Sequence, residues 1–304
     1  MYDILIIGGG PAGLTAAIYC GRGGMKTAVL ESIMTGGQMN RSHKIENFAG
    51  FTEGIAGHEL GAKMLAQAEK FGAEIISEKA TTIDTGSGAI KVSTANGTYE
   101  AKAVILATGA KPRTLGLQKE ARLTGAGVSY CATCDGAFFR GMEVAVVGGG
   151  DTALDDTVFL SKYVKKVYLI HRRDQFRGSQ VTQNAVRKLP NCELLMDSVA
   201  DKLIGETELK GVEVRNVKTG QIRTLNVSGL FIAVGQAPDT EWMKDKIPLT
   251  PEGFIMADEN MHTGKEGIFA AGDARVKLLR QVSTAVADGA TAAYSAMKYI
   301  SEKE

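Results

Sequence analysis

One local pattern occurs twice in this chain and restricts its fold more than any other feature. The segments Asp3–Gly10 and Glu143–Gly150 match at an offset of 140 residues, and each is a short apolar run that ends in three glycines. Such a run before a tight turn is typical of a buried parallel strand. Helix-like sequence and then a second apolar strand follow each turn. We interpret the two copies as two βαβ units of an α/β fold.

A second duplicated pair indicates how the two units are arranged along the chain. Val104–Gly109 recurs as Leu230–Gly235, and an unduplicated strand pattern, Gly267–Asp273, lies near the C-terminus. This order predicts that the second unit is inserted into the first. We expect two Rossmann-like, three-layer dinucleotide-binding domains. Their expected bounds are 1–112 with 242–304 for the first domain and 113–241 for the second.

Charge and hydropathy exclude several classes of partner. The 304 residues include 35 Lys and Arg against 34 Asp and Glu, so the net charge of +1 offers no attraction for nucleic acid or an anionic membrane. No apolar run reaches the roughly 18 residues of a membrane span. The apolar stretch Ile4–Ala17 lacks the basic start of a signal peptide. We expect a cytoplasmic protein with neither nucleic acid nor membrane as a partner.

The first glycine turn has the spacing of a dinucleotide-binding motif. Gly8, Gly10 and Gly13 follow a predicted strand and open a predicted helix, and Glu31 comes 23 residues after Gly8. The glycines allow a tight turn, close approach of a pyrophosphate and packing of helix against strand, while the helix N-terminus attracts the phosphate charge. Glu31 is expected to accept hydrogen bonds from a ribose 2'-hydroxyl. The alternative is a glycine-rich turn that binds no ligand.

The second turn differs at the position that contacts the ribose. It has Gly148, Gly150 and Ala153, and His171 stands where the first copy has Glu31. Three guanidinium groups follow within six residues: Arg172, Arg173 and Arg177. A carboxylate repels a ribose 2'-phosphate, whereas guanidinium groups bind one bidentately. The pattern therefore favours NADP(H) over NAD(H), and the alternative is a solvated basic loop.

Two of the four cysteines form a C-x-x-C pair, Cys131 and Cys134. A structural zinc site needs four ligands, and the isolated Cys20 and Cys192 offer no second pair. Inert buried thiols are the second alternative, and they do not account for the close spacing. A redox-active dithiol explains the pair best, and we expect no metal.

These motifs together resemble a known family. Cys131-Ala-Thr-Cys134-Asp-Gly136, two dinucleotide folds and the run His171–Arg177 are similar to the low-molecular-weight, bacterial-type thioredoxin reductases, which are flavoprotein pyridine nucleotide-disulfide oxidoreductases. The cysteine pair lies in the second dinucleotide domain, and the segment Gly36-Gly-Gln38 has no cysteine, as in that branch. The resemblance implies FAD in the first domain, NADPH in the second, a homodimer, and thioredoxin or a thioredoxin-like protein as partner.

The resemblance also assigns site residues position by position. For FAD it implies Gly8, Gly10, Pro11, Ala12, Gly13, Glu31, Gly37, Gln38, Asn47, Ala107, Thr108, Gly109, Gly272, Asp273, Arg280, Gln281 and Val282. For NADP(H) it implies Gly148, Gly150, Asp151, Thr152, Ala153, His171, Arg172, Arg173, Arg177 and Gly235. The implied catalytic residues are Cys131, Cys134 and Asp135.

The resemblance implies that electrons pass from NADPH through FAD to the Cys131–Cys134 disulfide, and then to the disulfide of thioredoxin. Cys131 is expected to attack the partner, Cys134 to face the flavin and resolve the mixed disulfide, and Asp135 to act as acid and base. Capping of the following helix is the alternative role for Asp135. A ferredoxin-dependent flavin thioredoxin reductase and an FAD-dependent dithiol oxidase remain alternative functions. Neither needs a 2'-phosphate site, so the three arginines argue against both.

Overall fold

The computed structural model describes residues 1–42, 44–86 and 88–303 of the chain. His43, Ser87 and Glu304, which the expected first domain includes, lie outside the described residues. The chain forms two compact units, Met1–Lys111 with Ala237–Glu304 and Pro112–Gln236. Pro112 thus lies in the second unit, and residues 237–241 lie in the first, in contrast to the expected bounds.

The first segment of the chain begins with the βαβ unit that its glycine turn predicts. Its strands are β1 (Tyr2–Ile7), β2 (Thr27–Leu30), β3 (Glu74–Ile76), β4 (Thr82–Asp84), β5 (Ile90–Ser93), β6 (Thr98–Leu106) and β7 (Ala110–Pro112). Its helices are α1 (Pro11–Arg22), α2 (Gly57–Lys70) and a 3₁₀ helix over Gly37–Arg41.

The second unit repeats this pattern and adds strands to it. Its helices are α3 (Glu120–Leu123), α4 (Ala132–Asp135), α5 (Asp151–Ser161), α6 (Gln180–Arg187) and a 3₁₀ helix over Gly136–Phe139. Its strands are β8 (Val128–Ser129), β9 (Glu143–Gly148), β10 (Lys166–Ile170), β11 (Cys192–Leu195), β12 (Ser198–Ile204), β13 (Gly211–Asn216), β14 (Ile222–Leu225) and β15 (Gly229–Ala233). The chain then returns to the first unit through β16 (Gln236–Pro238), β17 (Ile268–Ala270), two 3₁₀ helices (Glu241–Met243 and Gly272–Ala274) and α7 (Val282–Lys303).

The main sheet of the first unit has the order β3-β2-β1-β6-β5-β4. In addition, β17 pairs with the C-terminal half of β6. The pairs among β3, β2, β1, β6 and β17 are parallel, and those of β5 with β4 and β6 are antiparallel. Alternate residues of β1 serve opposite faces of this sheet. Ile4 and Ile6 pack with α1, α2 and α7, whereas Leu5 and Ile7 pack with β4 and β5.

The second unit has a parallel sheet in the order β11-β10-β9-β15-β8 and a separate antiparallel sheet, β12-β13-β14. Val144 and Val146 of β9 pack with α5 and α6, while Ala145 and Val147 pack against β12 and β13. Parallel strands with helices on them are the Rossmann-like arrangement, so the predicted fold class is confirmed in both units. Within the described ranges, no helix is long and apolar enough to cross a bilayer.

Candidate active site

Close contacts around the first glycine turn leave no room for side chains. Gly8 has φ +108, and a Cβ there would overlap the carbonyl oxygen of Ala107 at the end of β6. A Cβ at Gly13 would overlap the carbonyl oxygen of Gly8. The turn therefore brings the N-terminus of α1, which Gly10 precedes, to the carboxyl end of β1. An N-terminus in this place presents backbone N–H groups to an anion.

Glu31 lies beside this turn because β2 ends next to β1. Its Oε2 accepts the backbone N–H of Gly9 at 2.8 Å, and its Oε1 accepts that of Ile33 at 2.9 Å. A Cβ on Gly37 would be 3.1 Å from the Cα of Gly10, so the 3₁₀ helix that contains Gln38 starts against the glycine turn. The structure thus brings together the expected residues from the first 38 positions.

Two buried polar atoms lie at the carboxyl edge of β6 and β17, which are neighbouring strands. Thr108 Oγ1 and Asp273 Oδ1 are buried and have no hydrogen-bond partner among the residues that the structure describes. Burial raises the pKa of Asp273, although Lys277 and Arg280 act in the opposite direction. Buried polar atoms of this kind normally bond to something, and a polar ligand at this edge would supply the partner.

The remaining expected residues of the first unit meet at the N-terminus of α7. Asn47 Nδ2 donates to Gln281 Oε1 at 3.0 Å, and Gln281 directly precedes Val282, the first residue of the helix. Arg280 Nε donates to the carbonyl oxygen of Asp273 at 3.4 Å. These contacts place a helix N-terminus, with its partial positive charge, next to the edge that holds Asp273.

A buried carboxylate that the sequence did not reveal supports this edge. Asp288 of α7 is 6% exposed, and its Oδ2 accepts the backbone N–H of Gly272 at 3.0 Å. It also accepts both Arg275 Nε and Lys277 Nζ, at 2.9 and 2.7 Å. No motif could have indicated this carboxylate, because its three partners belong to a loop that precedes the helix.

The second glycine turn has a basic loop folded over it. The carbonyl oxygen of Gly149 accepts the backbone N–H of Arg177 at 2.7 Å, and Asp151 Oδ1 accepts the N–H of Ser179 at 2.6 Å. Gly150 precedes α5, so a helix N-terminus again lies at the end of a parallel strand. Ala153 is fully buried beneath the turn and packs against Gly148.

His171 supports this loop by its contacts and does not contribute a positive charge to it. The ring is buried, its Nε2 lies 2.9 Å from the carbonyl oxygen of Gln175, and its centroid is 5.3 Å from that of Phe176. Burial lowers the pKa of His171, so the imidazole is neutral at neutral pH. The positive charge near the ribose position therefore comes from the arginines that follow.

A cleft of about 610 Å³ lies within the second unit, at the carboxyl ends of β9 and β15. Arg172, Arg173 and Arg177 are exposed, and none of them forms an ion pair within the described part of the chain, since Lys218 takes the nearby Asp174 and Asp197. The expected residues that line the cleft are Gly148, Gly150, Thr152, His171, Arg172, Arg177 and Gly235. Arg173, Asp151 and Ala153 do not line it.

Further lining residues come from segments that the sequence left unassigned. Ser198, Val199 and Ala200 of β12 contribute one wall, and Arg113 to Leu115 contribute another. The backbone N–H of Arg113 donates to the carbonyl oxygen of Gly235 at 3.0 Å, which holds this second wall at the end of β15. No residue pattern marks these segments, because only the packing of the antiparallel sheet brings β12 to the cleft.

Cys131 and Cys134 form a disulfide with an S–S distance of 2.05 Å and a Cα–Cα distance of 5.3 Å. Cys131 immediately precedes α4, and both residues are half-buried. The helix adjoins β8, which ends at Ser129. The expected pairing of the two cysteines is thus present at the start of a short helix.

Asp135, the last residue of α4, is held in the cysteine turn by two hydrogen bonds. Its backbone N–H donates to the carbonyl oxygen of Cys131 at 3.1 Å, and its Oδ2 accepts the hydroxyl of Ser129 at 2.6 Å. Asp135 stands at the N-cap position of the following 3₁₀ helix, Gly136–Phe139, but its side chain forms no capping hydrogen bond there. The carboxylate is thus linked through Ser129 to the end of β8, directly before the cysteine turn.

Comparison with known proteins agrees with this geometry. The chain matches the sequence model of the family described as pyridine nucleotide-disulphide oxidoreductase over residues 2–289. It is 44% identical over 302 residues to a protein of Streptomyces coelicolor named thioredoxin reductase, covering 98% of this chain and 94% of the relative. A crystal structure of thioredoxin reductase from Streptococcus pyogenes is 44% identical, with 99% of each chain covered and a TM-score of 0.94.

Proposed function

The chain belongs to the pyridine nucleotide-disulphide oxidoreductase family, as a flavoprotein of the bacterial thioredoxin reductase type, and we propose that it uses NADPH and FAD to reduce thioredoxin. The observation that carries the proposal is the Cys131–Cys134 disulfide, with Asp135 beside it, in the unit that also holds the arginine-bearing cleft. The relatives do not favour a ferredoxin-dependent reductase or a dithiol oxidase. We further propose a cytoplasmic location, since thiol exchange of this kind belongs to a reducing compartment. We also propose a homodimer, as the family resemblance implies.

We assign FAD to the first unit on the fit of its residues. The glycine turn and the α1 N-terminus suit a pyrophosphate, Glu31 suits a ribose, and the buried Thr108 and Asp273 oxygens suit polar groups of the ribityl chain. The N-terminus of α7 suits the pyrimidine end of the ring. When bound, FAD supplies two-electron transfer between a nicotinamide and a disulfide.

We assign NADPH to the cleft of the second unit. The N-terminus of α5 faces the end of β9 and suits the pyrophosphate, while Arg172 and Arg177 on the rim suit the 2'-phosphate. These guanidinium groups need no rearrangement of ion pairs to bind a phosphate, because in the described part of the chain the nearby Asp174 and Asp197 pair with Lys218 and not with them. Discrimination against NADH follows from this charge.

The cysteine pair and Asp135 account for exchange with thioredoxin, starting from the reduced pair with Asp135 protonated and Cys131 as thiolate. Cys131 Sγ attacks one sulfur of the thioredoxin disulfide, and the departing thiolate takes the proton of Asp135. The Asp135 carboxylate then accepts the proton of Cys134, whose thiolate attacks Cys131 Sγ. The second thioredoxin thiolate leaves with that proton. Two electrons and two protons have passed to thioredoxin, and the Cys131–Cys134 disulfide is restored.

The test is an assay with a panel of donors and acceptors. The purified protein should be yellow, and NADPH should bleach it under anaerobic conditions, whereas NADH and reduced ferredoxin should act far more slowly. With thioredoxin disulfide as acceptor, free thiols should appear in proportion to the NADPH consumed. Replacement of Asp273 by Ala should release flavin without destabilising the flavin-free protein, because its buried Oδ1 has no hydrogen-bond partner among the described residues. If reduced ferredoxin bleached the flavin rapidly and NADPH did not, the proposal would be overturned.

A further inference from the structure

The hydroxyl of Ser129 lies between the cysteine turn and the carboxylate of Asp135. Ser129 is 4% exposed and ends β8, where it pairs in register with Phe231 of β15. Its backbone is therefore held by the parallel sheet and not by the short helix that carries the cysteines. A buried hydroxyl on a strand gives this region a fixed reference point.

The hydrogen bonds of this hydroxyl have a definite direction. Ser129 Oγ donates to Asp135 Oδ2 at 2.6 Å and accepts the backbone N–H of Cys131 at 3.0 Å. The carbonyl oxygen of Cys131 lies farther away, at 3.4 Å. A hydroxyl has one proton, and the short bond to a charged acceptor is the stronger one. The proton therefore points to Asp135 while that group is a carboxylate.

We propose that Ser129 is a positioning residue for proton transfer, which holds Asp135 in place in both of its protonation states. The inference rests on the proposed role of Asp135. When Asp135 is a carboxylate, the hydroxyl donates to it. When Asp135 carries a proton, the carboxyl group donates to Ser129 Oγ, and the hydroxyl turns to the carbonyl oxygen of Cys131, which is its second acceptor.

This switch moves no heavy atom and breaks no covalent bond. The Oγ atom has two lone pairs, so it can accept the Cys131 N–H and the protonated carboxyl group at the same time. The transferred proton passes from Cys134 to Asp135 and then to the departing thiolate, and Ser129 transfers none and only reorients its own. Ser129 thus keeps the carboxyl group linked to the backbone of Cys131 throughout exchange.

The experiment follows the pH dependence of one turnover. The holoenzyme is reduced, mixed with thioredoxin disulfide, and the rate of thiol release is recorded from about pH 5 to about pH 9, where a carboxyl group that must start protonated gives an alkaline limb. In Ser129→Ala the carboxylate loses a donor and becomes a stronger base. The alkaline limb should move to higher pH by about one unit, because the protonated carboxyl group persists to higher pH, with a severalfold lower plateau.

Three further variants identify the cause of such a shift. Ser161→Ala removes the same atom from a half-buried serine that bonds to a backbone carbonyl at the end of α5, and its profile should match that of the parent. Ser129→Thr keeps the hydroxyl and should restore the parent profile. Asp135→Asn should abolish the limb altogether. The pH of half-maximal rate depends only on relative rates within the profile of one protein. It can therefore be measured even if Ser129→Ala folds in low yield.

The outcomes separate the inference from the proposed function. A shifted limb in Ser129→Ala and a parent profile in Ser129→Thr support the inference. If Asp135→Asn abolishes the limb but Ser129→Ala coincides with Ser161→Ala, Ser129 has only a structural role and the inference is overturned. If Asp135→Asn keeps the limb of the parent, the proposed role of Asp135 is wrong, and the role of Ser129 falls with it.

Discussion

The carboxylate of Asp288 accepts the backbone N–H of Gly272 at 3.0 Å, which ties α7 to the loop after β17. The same carboxylate forms ion pairs with Arg275 and Lys277, and the side chain of Lys277 is only 6% exposed. Burial acts to raise the pKa of Asp288, but the hydrogen bonds from these two cations outweigh it and hold the pKa below its ordinary value. The loop that carries Asp273 is therefore anchored by a charge.

Replacement of Asp288 by Asn should destabilise the first unit strongly, because it leaves two cations without their shared partner. We expect a loss of about 3–5 kcal/mol at pH 7, measured by urea unfolding. Since the folded-state pKa is lowered, the contribution is present above the ordinary carboxyl pKa of about 4 and is lost as pH falls through the lowered value. The difference in unfolding free energy from the parent should narrow as pH falls below the ordinary carboxyl pKa. Asp84→Asn, on an exposed strand position, should have little effect.

Replacement of Arg172 and Arg173 by Ala should raise the KM for NADPH by at least roughly tenfold and leave the KM for NADH nearly unchanged. Arg172 lines the cleft and Arg173 does not, so the single change at Arg172 should account for most of the loss. Steady-state kinetics with both nucleotides measures this. The control is Arg215→Ala, which removes from β13 a guanidinium group that pairs with Asp201 of β12. Equal losses for NADPH and NADH would instead indicate a role in folding.

The two cysteines should differ in their ability to trap thioredoxin. Cys134→Ser keeps the attacking thiol and lacks the resolving one, so a mixed disulfide with thioredoxin should accumulate. Cys131→Ser should form little of it. Non-reducing electrophoresis and mass spectrometry of the adduct provide the measurement. Trapping by the Cys131→Ser protein alone would reverse the assigned roles.

Asp156 on α5 should make the second unit less stable in weakly alkaline solution. Burial, assisted by the charge of Asp155, raises the pKa of Asp156 to about 7. The folded protein thus holds a proton that the unfolded chain releases, and stability falls as pH rises from the ordinary carboxyl pKa towards 7.

Asp156→Asn should therefore be more stable than the parent at about pH 8, by roughly 1–3 kcal/mol, and similar to it near pH 4. Thermal unfolding at the two pH values tests this. Asp155→Asn, which removes an exposed carboxylate, should give a much smaller gain of the same sign. A lower stability of Asp156→Asn at alkaline pH would mean that the ionised carboxylate is favourable where it stands.

The amino-acid sequence by itself determined the two βαβ units, their order along the chain and the chemistry of the cysteine pair. These features rest on local physics, because strand burial, glycine sterics and helix N-termini act over a few residues. The turn at Gly8 and Gly13 was therefore predictable from its spacing, and the spacing of Cys131 and Cys134 favoured a redox-active pair, which the structure shows as a disulfide.

Only the tertiary structure decided which atoms meet. Packing decides the neutral, buried state of His171, the anchoring carboxylate of Asp288, the wall that Ser198 adds to the cleft and the bond from Ser129 to Asp135. It also leaves Asp273 Oδ1 without a hydrogen-bond partner among the described residues. Burial and hydrogen-bond geometry depend on how strands and helices pack together, and no local pattern encodes that packing. The motifs thus located the chemistry, and the fold determined the surroundings that tune it.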